Sequence, residues 1–357
     1  MKPLKVYACY NTDMDVRLNS SSGAVFSSLA EYVLEQQGVV YGVAISEDCY
    51  SAEFISVTSK EQLTKLRGSK YLQAKVGNTY RLVKGDLVSG KLVLFSGTGC
   101  QVTGLKKFLG KEYNNLICVD VICHGAPSPA LWRKYAIYQE QKNGGKLKGI
   151  NFRCKDDSWT DFGMKKICKG IPNGEMKKLY ISKDKDAYMQ MFLRDYCLRP
   201  SCYECAAKNV KMSDLTIADF WGINDVAPDM NDGMGTSLVL IRTEKGEDVF
   251  KKIGSSMKLK EVSYENGVRG NPAEYKSCAR PIQRNTFFDD MQSMSFEELE
   301  KKYAAPIKVS LVTRAKRKTK KTIKSLLRVI GGGQSMNTAK NMDYSLCFVF
   351  DCQEKNQ

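Results

Sequence analysis

Twice between residues 91 and 130, a short apolar run breaks into a tight loop carrying glycine and cysteine, and a helical pattern follows. Lys91 to Phe95 runs into Ser96-Gly97-Thr98-Gly99-Cys100, with helical spacing to Leu109. Leu116 to Ile122 runs into Cys123-His124-Gly125, and Pro127 and Pro129 open the next helix. Buried strand, loop and helix in repetition specify a parallel α/β sheet, whose loops gather at the carboxyl edge of the strands. Ligands bind at that edge in such sheets.

The remaining patterns extend this unit. Leu4 to Tyr10 alternates as a strand, and Val25, Leu29, Tyr32 and Val33 recur at helical spacing in a helix from Ala24 to Gln37 that Gly38 closes. Val39 to Ile45 and Ala52 to Val57 predict two more strands. Ser59-x-x-Gln62 has the form of a capping box and predicts a helix ending near Arg67-Gly68-Ser69-Lys70-Tyr71. From Gly149 the strands shorten: Gly149 to Arg153, Leu215 to Phe220, and Ser237 to Arg242 before a helix from Glu244. Asn271 to Arg284 is irregular, and Phe296 to Tyr303 closes the globular part. The expected fold is α/β, a mainly parallel sheet flanked by helices with a smaller α+β portion and a basic C-terminal tail. The expected divisions are 1–148, 149–305 and 306–357.

Cys100 and Cys123 end neighbouring predicted strands, and Arg199-Pro200-Ser201-Cys202-Tyr203-Glu204-Cys205 adds a C-x-x-C pair. Two intervening residues let both sulfurs face one ion or cluster, whereas a thioredoxin-type pair would follow a strand and open a helix. At Cys100 the backbone N–H groups of a strand-to-helix turn favour a thiolate, although a small thiol at a crowded turn accounts for the residue equally. Four converging thiolates are the ligand set of an iron–sulfur cluster or a structural zinc. The other view of the chain is therefore a zinc-stabilised binding or adapter protein. Common zinc sites use two C-x-x-C pairs, and only one is present. Thirteen cysteines in a long chain without a secretory leader pattern argue against a disulfide framework. Cys9, Cys49, Cys118, Cys168, Cys197, Cys278, Cys347 and Cys352 fit packing roles.

His124 is the sole histidine, which excludes H-E-x-x-H and any mechanism needing two imidazoles. A Cys100–His124 dyad lacks a visible third member, and a plain hydrogen-bonding role suits the residue. Ser20-Ser21-Ser22-Gly23 precedes a helix start, which makes it either a phosphate cradle or an N-cap. Gly97-Thr98-Gly99 offers N–H groups, Arg67-Gly68-Ser69-Lys70 offers positive charge, and Asp219-Phe220-Trp221-Gly222 offers a carboxylate and an aromatic or simply ends a strand.

The formal net charge of +16 has a local origin. Eleven of the 55 Lys and Arg residues, and no Asp or Glu, fall in 301–330, leaving +5 for the rest. Arg314, Lys316, Arg317, Lys318, Lys320, Lys321, Lys324 and Arg328 interleave with Ile323, Leu326, Leu327, Val329 and Ile330. This suits a basic amphipathic helix on an anionic membrane or a partner, or a solvated appendix, and not specific nucleic-acid binding. No run approaches the roughly 18 apolar residues of a membrane span, and the N-terminus lacks a cleavage signal, so the expected location is cytoplasmic.

Taken in order from Pro3 to Tyr303, these motifs resemble the family of coenzyme F420 hydrogenase/dehydrogenase beta subunits. The resemblance implies FAD and a 4Fe-4S cluster, with Cys100, Cys123, Cys202 and Cys205 as cluster ligands. It implies the Ser21-Ser22-Gly23 loop, Lys70 and the Gly97-Thr98 turn as FAD contacts. Ser69, Gln101, Asp219 and Trp221 are further candidate flavin contacts by their own chemistry, and Lys70 and His124 are candidate catalytic groups beside the reduced flavin. An iron–sulfur flavoprotein oxidoreductase is the activity implied. Its electrons would pass between a substrate or partner and coenzyme F420, another external hydride donor such as a nicotinamide, or a ferredoxin. Assembly into an oligomer stays open. Many relatives place a ferredoxin-like domain ahead of this region, a role that falls here to a separate ferredoxin, a fused partner or direct substrate reduction. Ala24 and Gly99 stand where relatives commonly have Gly and Pro, and Cys154 stands as an additional candidate ligand.

Overall fold

The computed structural model describes residues 2–156, 159–171 and 174–305. The basic tail, with Cys347 and Cys352, lies outside the described residues. Along the chain run strands β1 (Lys5–Asn11), β2 (Val39–Ile45), β3 (Ala52–Val57), β4 (Ala74–Lys75), β5 (Val93–Thr98) and β6 (Leu116–Val121). They are followed by β7 (Gly145–Cys154), β8 (Gly163–Gly170), β9 (Met176–Ser182), β10 (Leu215–Asp219), β11 (Ser237–Ile241) and β12 (Met257–Glu261). One sheet has the order β12-β1-β11-β10-β6-β5-β2-β3-β4, and a second, antiparallel sheet has the order β7-β8-β9.

The centre of the large sheet, β10-β6-β5-β2, is parallel. Antiparallel pairings carry it outward through β11, β1 and β12 on one side and to β3 on the other. β5 and β6 read as unbroken apolar runs because both of their faces are covered. Alternate residues divide between the faces. Phe95 and Cys118 join Trp132, Tyr135 and Tyr188 in one core, while Leu94, Ile117 and Val119 pack with Leu29 and Val33 of the helix Val25–Glu35 in another. The small sheet covers the first of these cores through Phe152, Met164 and Cys168.

The glycine-loop elements form as the pattern predicts. The helix Gly99–Leu109 follows β5 and ends at Gly110 with φ 70°. The helix Pro129–Asn143 starts on proline and ends at Gly144 with φ 62°, the usual asymmetry of helix ends. The stretch after Ser59 differs from its prediction. It makes only a 3₁₀ turn over Gln62–Lys65, because the Gln62 side chain accepts the Thr58 N–H at 3.2 Å and no apolar face continues beyond it. The lysine-rich β8 and β9, the two-residue β4 and the half-polar helix Thr79–Val88 carry too weak a periodicity to be predicted.

Candidate functional site

Register places the candidate residues along one edge. Thr98 of β5 and Ile217 of β10 both pair with Val121 of β6, while Asp219 of β10 and Cys9 of β1 both pair with Ser237 of β11. The carboxyl ends of four strands and the start of β11 therefore lie side by side. Gly23 joins them, since its carbonyl accepts the Asn11 N–H at 2.8 Å and its own N–H reaches Ser237 Oγ at 2.9 Å.

The thiols gather at one end of this edge. Pro127 bridges to Leu198, the Arg199 N–H donates to Ala126 O at 2.9 Å, and the Ser128 N–H donates to Cys197 O at 2.9 Å. This pairing hangs the Cys202 turn beside the loop after Cys123, where the Ala126 N–H points at Cys202 Sγ, 3.4 Å away. The approach needs Gly125, because a Cβ there would lie 2.7 Å from Leu198 Cδ1. The turn Ala206–Lys208 packs on the start of the helix Gly99–Leu109, where a Cβ at Gly99 would lie 3.2 Å from Ala207 Cβ. Cys100 is exposed and the other three are part-buried. Burial pushes the Cys123 thiol up to about 12; the Lys208 ammonium opposes the shift, and the like charges of Cys100, Cys202 and Cys205 reinforce it. Burial also raises Cys202, with Cys205 and Cys100 again contributing. Three distant segments bearing the four cysteines thus lie next to one another, and a backbone N–H already faces one sulfur. That donor set suits a thiolate-bound metal or cluster. Cys154, at the end of β7, interacts instead with Asp156 and Lys165.

His124 turns away from Cys100. Its Nε2 lies 2.6 Å from Asp195 Oδ1, and its Nδ1 lies 3.8 Å from Cys278 Sγ. Cys278, assigned to packing by its sequence context, also donates to the His124 carbonyl at 2.7 Å. Burial, with help from Asp195, pushes its thiol up to about 12.

The other end of the edge is cationic. No serine caps the helix Val25–Glu35; Ala24 precedes it in the left-handed region with φ 69°. Ser21 Oγ instead accepts the Ser69 N–H at 2.9 Å and lies 3.1 Å from Ser69 Oγ, while Ser22 Oγ donates to Thr236 O at 2.8 Å. The buried Arg153 donates to Ser21 O at 3.3 Å and Trp159 O at 3.1 Å, and pairs with Asp219 at 3.1 Å. It lies over the Trp221 ring, which stacks on Trp159 at 5.4 Å. Burial raises the Asp219 carboxyl, and Arg153, Ser22 and Lys155 draw it back. Lys155 donates to Arg17 O and Ser22 O at 3.0 Å and Met234 O at 3.1 Å; burial brings it down to about 8. Lys70 donates to Leu66 O and Arg67 O, both at 2.8 Å, and burial alone lowers it to about 7. Among the described residues, carbonyls and no carboxylate meet this ammonium, which leaves it suited to an anionic group.

Thr98 bonds within its own turn at the thiol end. Its N–H donates to Gln101 Oε1 at 2.9 Å, and its Oγ1 lies 3.1 Å from Cys100 Sγ. Gln101 therefore caps its own helix, and Gly97 packs against its side chain. Sequence reasoning missed Arg153, Lys155, Trp159, Asp195 and Lys208. The only available signal was two cations spaced two apart at the end of a strand pattern, on one face of β7 as it runs out.

Profiles of the coenzyme F420 hydrogenase/dehydrogenase beta subunit match the chain twice, the N-terminal part over residues 6–79 and the C-terminal part over 90–266. The coenzyme F420-dependent sulfite reductase of Methanocaldococcus jannaschii is 22% identical over 277 residues, which are 75% of this chain and 40% of that protein. The chain thus spans about two fifths of the length of this curated relative. Among solved structures, the F420-reducing nickel–iron hydrogenase complex from Methanosarcina barkeri, in a xenon derivative, has a similar chain. That similarity has a TM-score of 0.47 and 15% identity, covering 72% of this chain and 82% of that one.

Proposed function

Because the chain belongs to the coenzyme F420 hydrogenase/dehydrogenase beta subunit family, an oxidoreductase family, we propose that it is an iron–sulfur flavoprotein that transfers electrons through FAD and a 4Fe-4S cluster. What supports this reading is that the turn bearing Cys202 and Cys205 hangs beside the loop after Cys123 and packs against the helix start at Gly99-Cys100, on the same sheet edge as the cationic residues. A flavin exchanges electron pairs with a hydride donor and single electrons with a cluster, which is the chemistry the bound groups would supply. The four thiolates would hold the cluster, and the Ala126 N–H would stabilise charge on Cys202 Sγ. Lys70 would offer its charge to a flavin phosphate or reduced ring, with Ser21, Ser22, Gly23 and Ser69 shaping the loop beside it. Arg153 holds Asp219 and Trp221 in place. His124, next to Cys123 in the chain, would be oriented through Nε2 by Asp195. A ferredoxin, a deazaflavin or a nicotinamide would serve as the exchange partner.

Anaerobic purification tests this directly. The expected protein is yellow-brown, with about four iron atoms and one FAD per chain and an absorbance bleached by dithionite. A colourless protein holding a single zinc on the same cysteines would overturn the redox reading in favour of a structural site.

A further inference from the structure

Three donor atoms outside the four-thiol group converge on one point. One each from His124, Asp195 and Cys278, they lie within 4.8 Å of one another. Each is held by contacts of its own. Asp195 follows the helix Ala187–Leu193 in the left-handed region, φ 63°, and its carbonyl accepts the Tyr203 hydroxyl at 2.5 Å. His124 stands edge-on to Phe192 at 5.2 Å. Cys278 comes from the irregular stretch before the helix Arg284–Ser293, which is tied down where Ser277 Oγ accepts the Cys205 N–H at 3.0 Å.

We propose that His124, Asp195 and Cys278 form a zinc site distinct from the four-thiol group, with three protein ligands and one position open to solvent. Sulfur, imidazole nitrogen and carboxylate oxygen are all zinc donors, and three protein ligands with one exchangeable position is the arrangement of reactive zinc sites. Bond lengths of ~2.0 Å to nitrogen and ~2.3 Å to sulfur in a tetrahedron put those two atoms about 3.5 Å apart. The observed Nδ1–Sγ separation is 3.8 Å, so binding asks for little movement. The Asp195 carboxylate, 2.6 Å from Nε2, gives up that contact and rotates to become the third donor. Binding would displace the proton of the Cys278 thiol, which burial otherwise holds in place. The nearby Lys208 ammonium is engaged by the Cys123 and Ala273 carbonyls. The His124 and Asp195 side chains are 38% and 21% exposed, so the fourth position can take water or an anionic oxygen or sulfur ligand. Such a ligand would sit one residue from Cys123.

The inference stands on these three side chains and not on the redox reading, and metal analysis separates the two. Zinc and iron are measured by mass spectrometry on the full chain, as purified anaerobically, and on Cys278→Ser, Asp195→Asn and Cys202→Ser. The wild-type chain should hold about one zinc. Cys278→Ser and Asp195→Asn should lose zinc by about tenfold or more and keep their iron, whereas Cys202→Ser should keep zinc and lose iron. Cobalt(II) added to the zinc-free chain should give a thiolate charge-transfer band that is absent in Cys278→Ser. Zinc retained by Cys278→Ser, a wild type with neither zinc nor a cobalt band, or iron lost together with zinc in Cys278→Ser and Asp195→Asn would each overturn the site. Zinc at this position in an iron-free chain would sink the redox proposal alone.

Discussion

The two ends of the ligand-binding edge are built on opposite principles. At the cationic end, every charge but that of Lys70 is already satisfied from within. Arg17 grips Asp232 through both of its terminal nitrogens at 2.5 and 2.6 Å, Arg153 pairs with Asp219, and Lys155 is surrounded by three carbonyls. At the thiol end, one sulfur meets an N–H and another a hydroxyl, and what sets their segments side by side is backbone pairing between residues 126–128 and 197–199. One end is a finished framework that can lend charge to a ligand. The other is a set of donors whose energetics is completed by whatever they bind. Losing a bound group should therefore loosen the thiol end and leave the cationic end intact.

Four experiments would break or sharpen that contrast. The largest effect belongs to Cys123→Ser, which should lower iron content by about tenfold or more while FAD stays bound. Loss of both groups together would show that the two ends are one cooperative unit. Next, Arg153→Met should destabilise the chain by about 3 kcal/mol in urea unfolding, because it removes the paired counter-ion of the part-buried Asp219 and leaves only Lys155 beside it. Adding Asp219→Asn should recover part of that loss, and a change below about 1 kcal/mol would mean that the pair does not organise the cationic end.

Lys70→Met should weaken FAD binding by about tenfold near neutral pH. The sign of its pH dependence follows from burial, which lowers the amine to about 7 in the free chain, against 10.5 when unperturbed. Raising the pH through 7 removes the charge an anion would meet, so affinity should fall on the alkaline side in wild type and stay flat in Lys70→Met. Over the same window the unfolded chain binds more protons than the folded one, so this residue makes the free protein more stable as pH rises from about 7 to 10.5. The smallest effect is Ala24→Gly. A residue at φ 69° carries left-handed strain that glycine lacks, and thermal unfolding should show a gain of about 1 kcal/mol.

Legibility followed the range of the interactions. β5, β6 and the helices after them were readable because apolar runs and turn residues act within a few positions. The Ser20–Gly23 loop was readable as a feature but not in its role. Its hydroxyls bond to Ser69 and Thr236, partners that no local pattern announces. Gln101, expected around the flavin, spends its side chain on Thr98, three residues away. Cys278 looked like one packing thiol among many until Asn271–Arg284 folded back onto His124. Asp195, just before Tyr196-Cys197, carried no signal at all.

Unaided, the order of residues determined most of the strands of the large sheet, where they break into loops, and which of those loops carry cysteine. Only the tertiary structure decided that the segments of Cys100, Cys123 and Cys202 lie next to one another, that Arg153 and Asp219 neutralise each other, and that the lone histidine finds a carboxylate and a thiol. The physical reason is that periodicity and turn chemistry are local properties of the chain, whereas strand order and register are set by burying both faces of a sheet at once. Those two quantities choose which loop ends become neighbours.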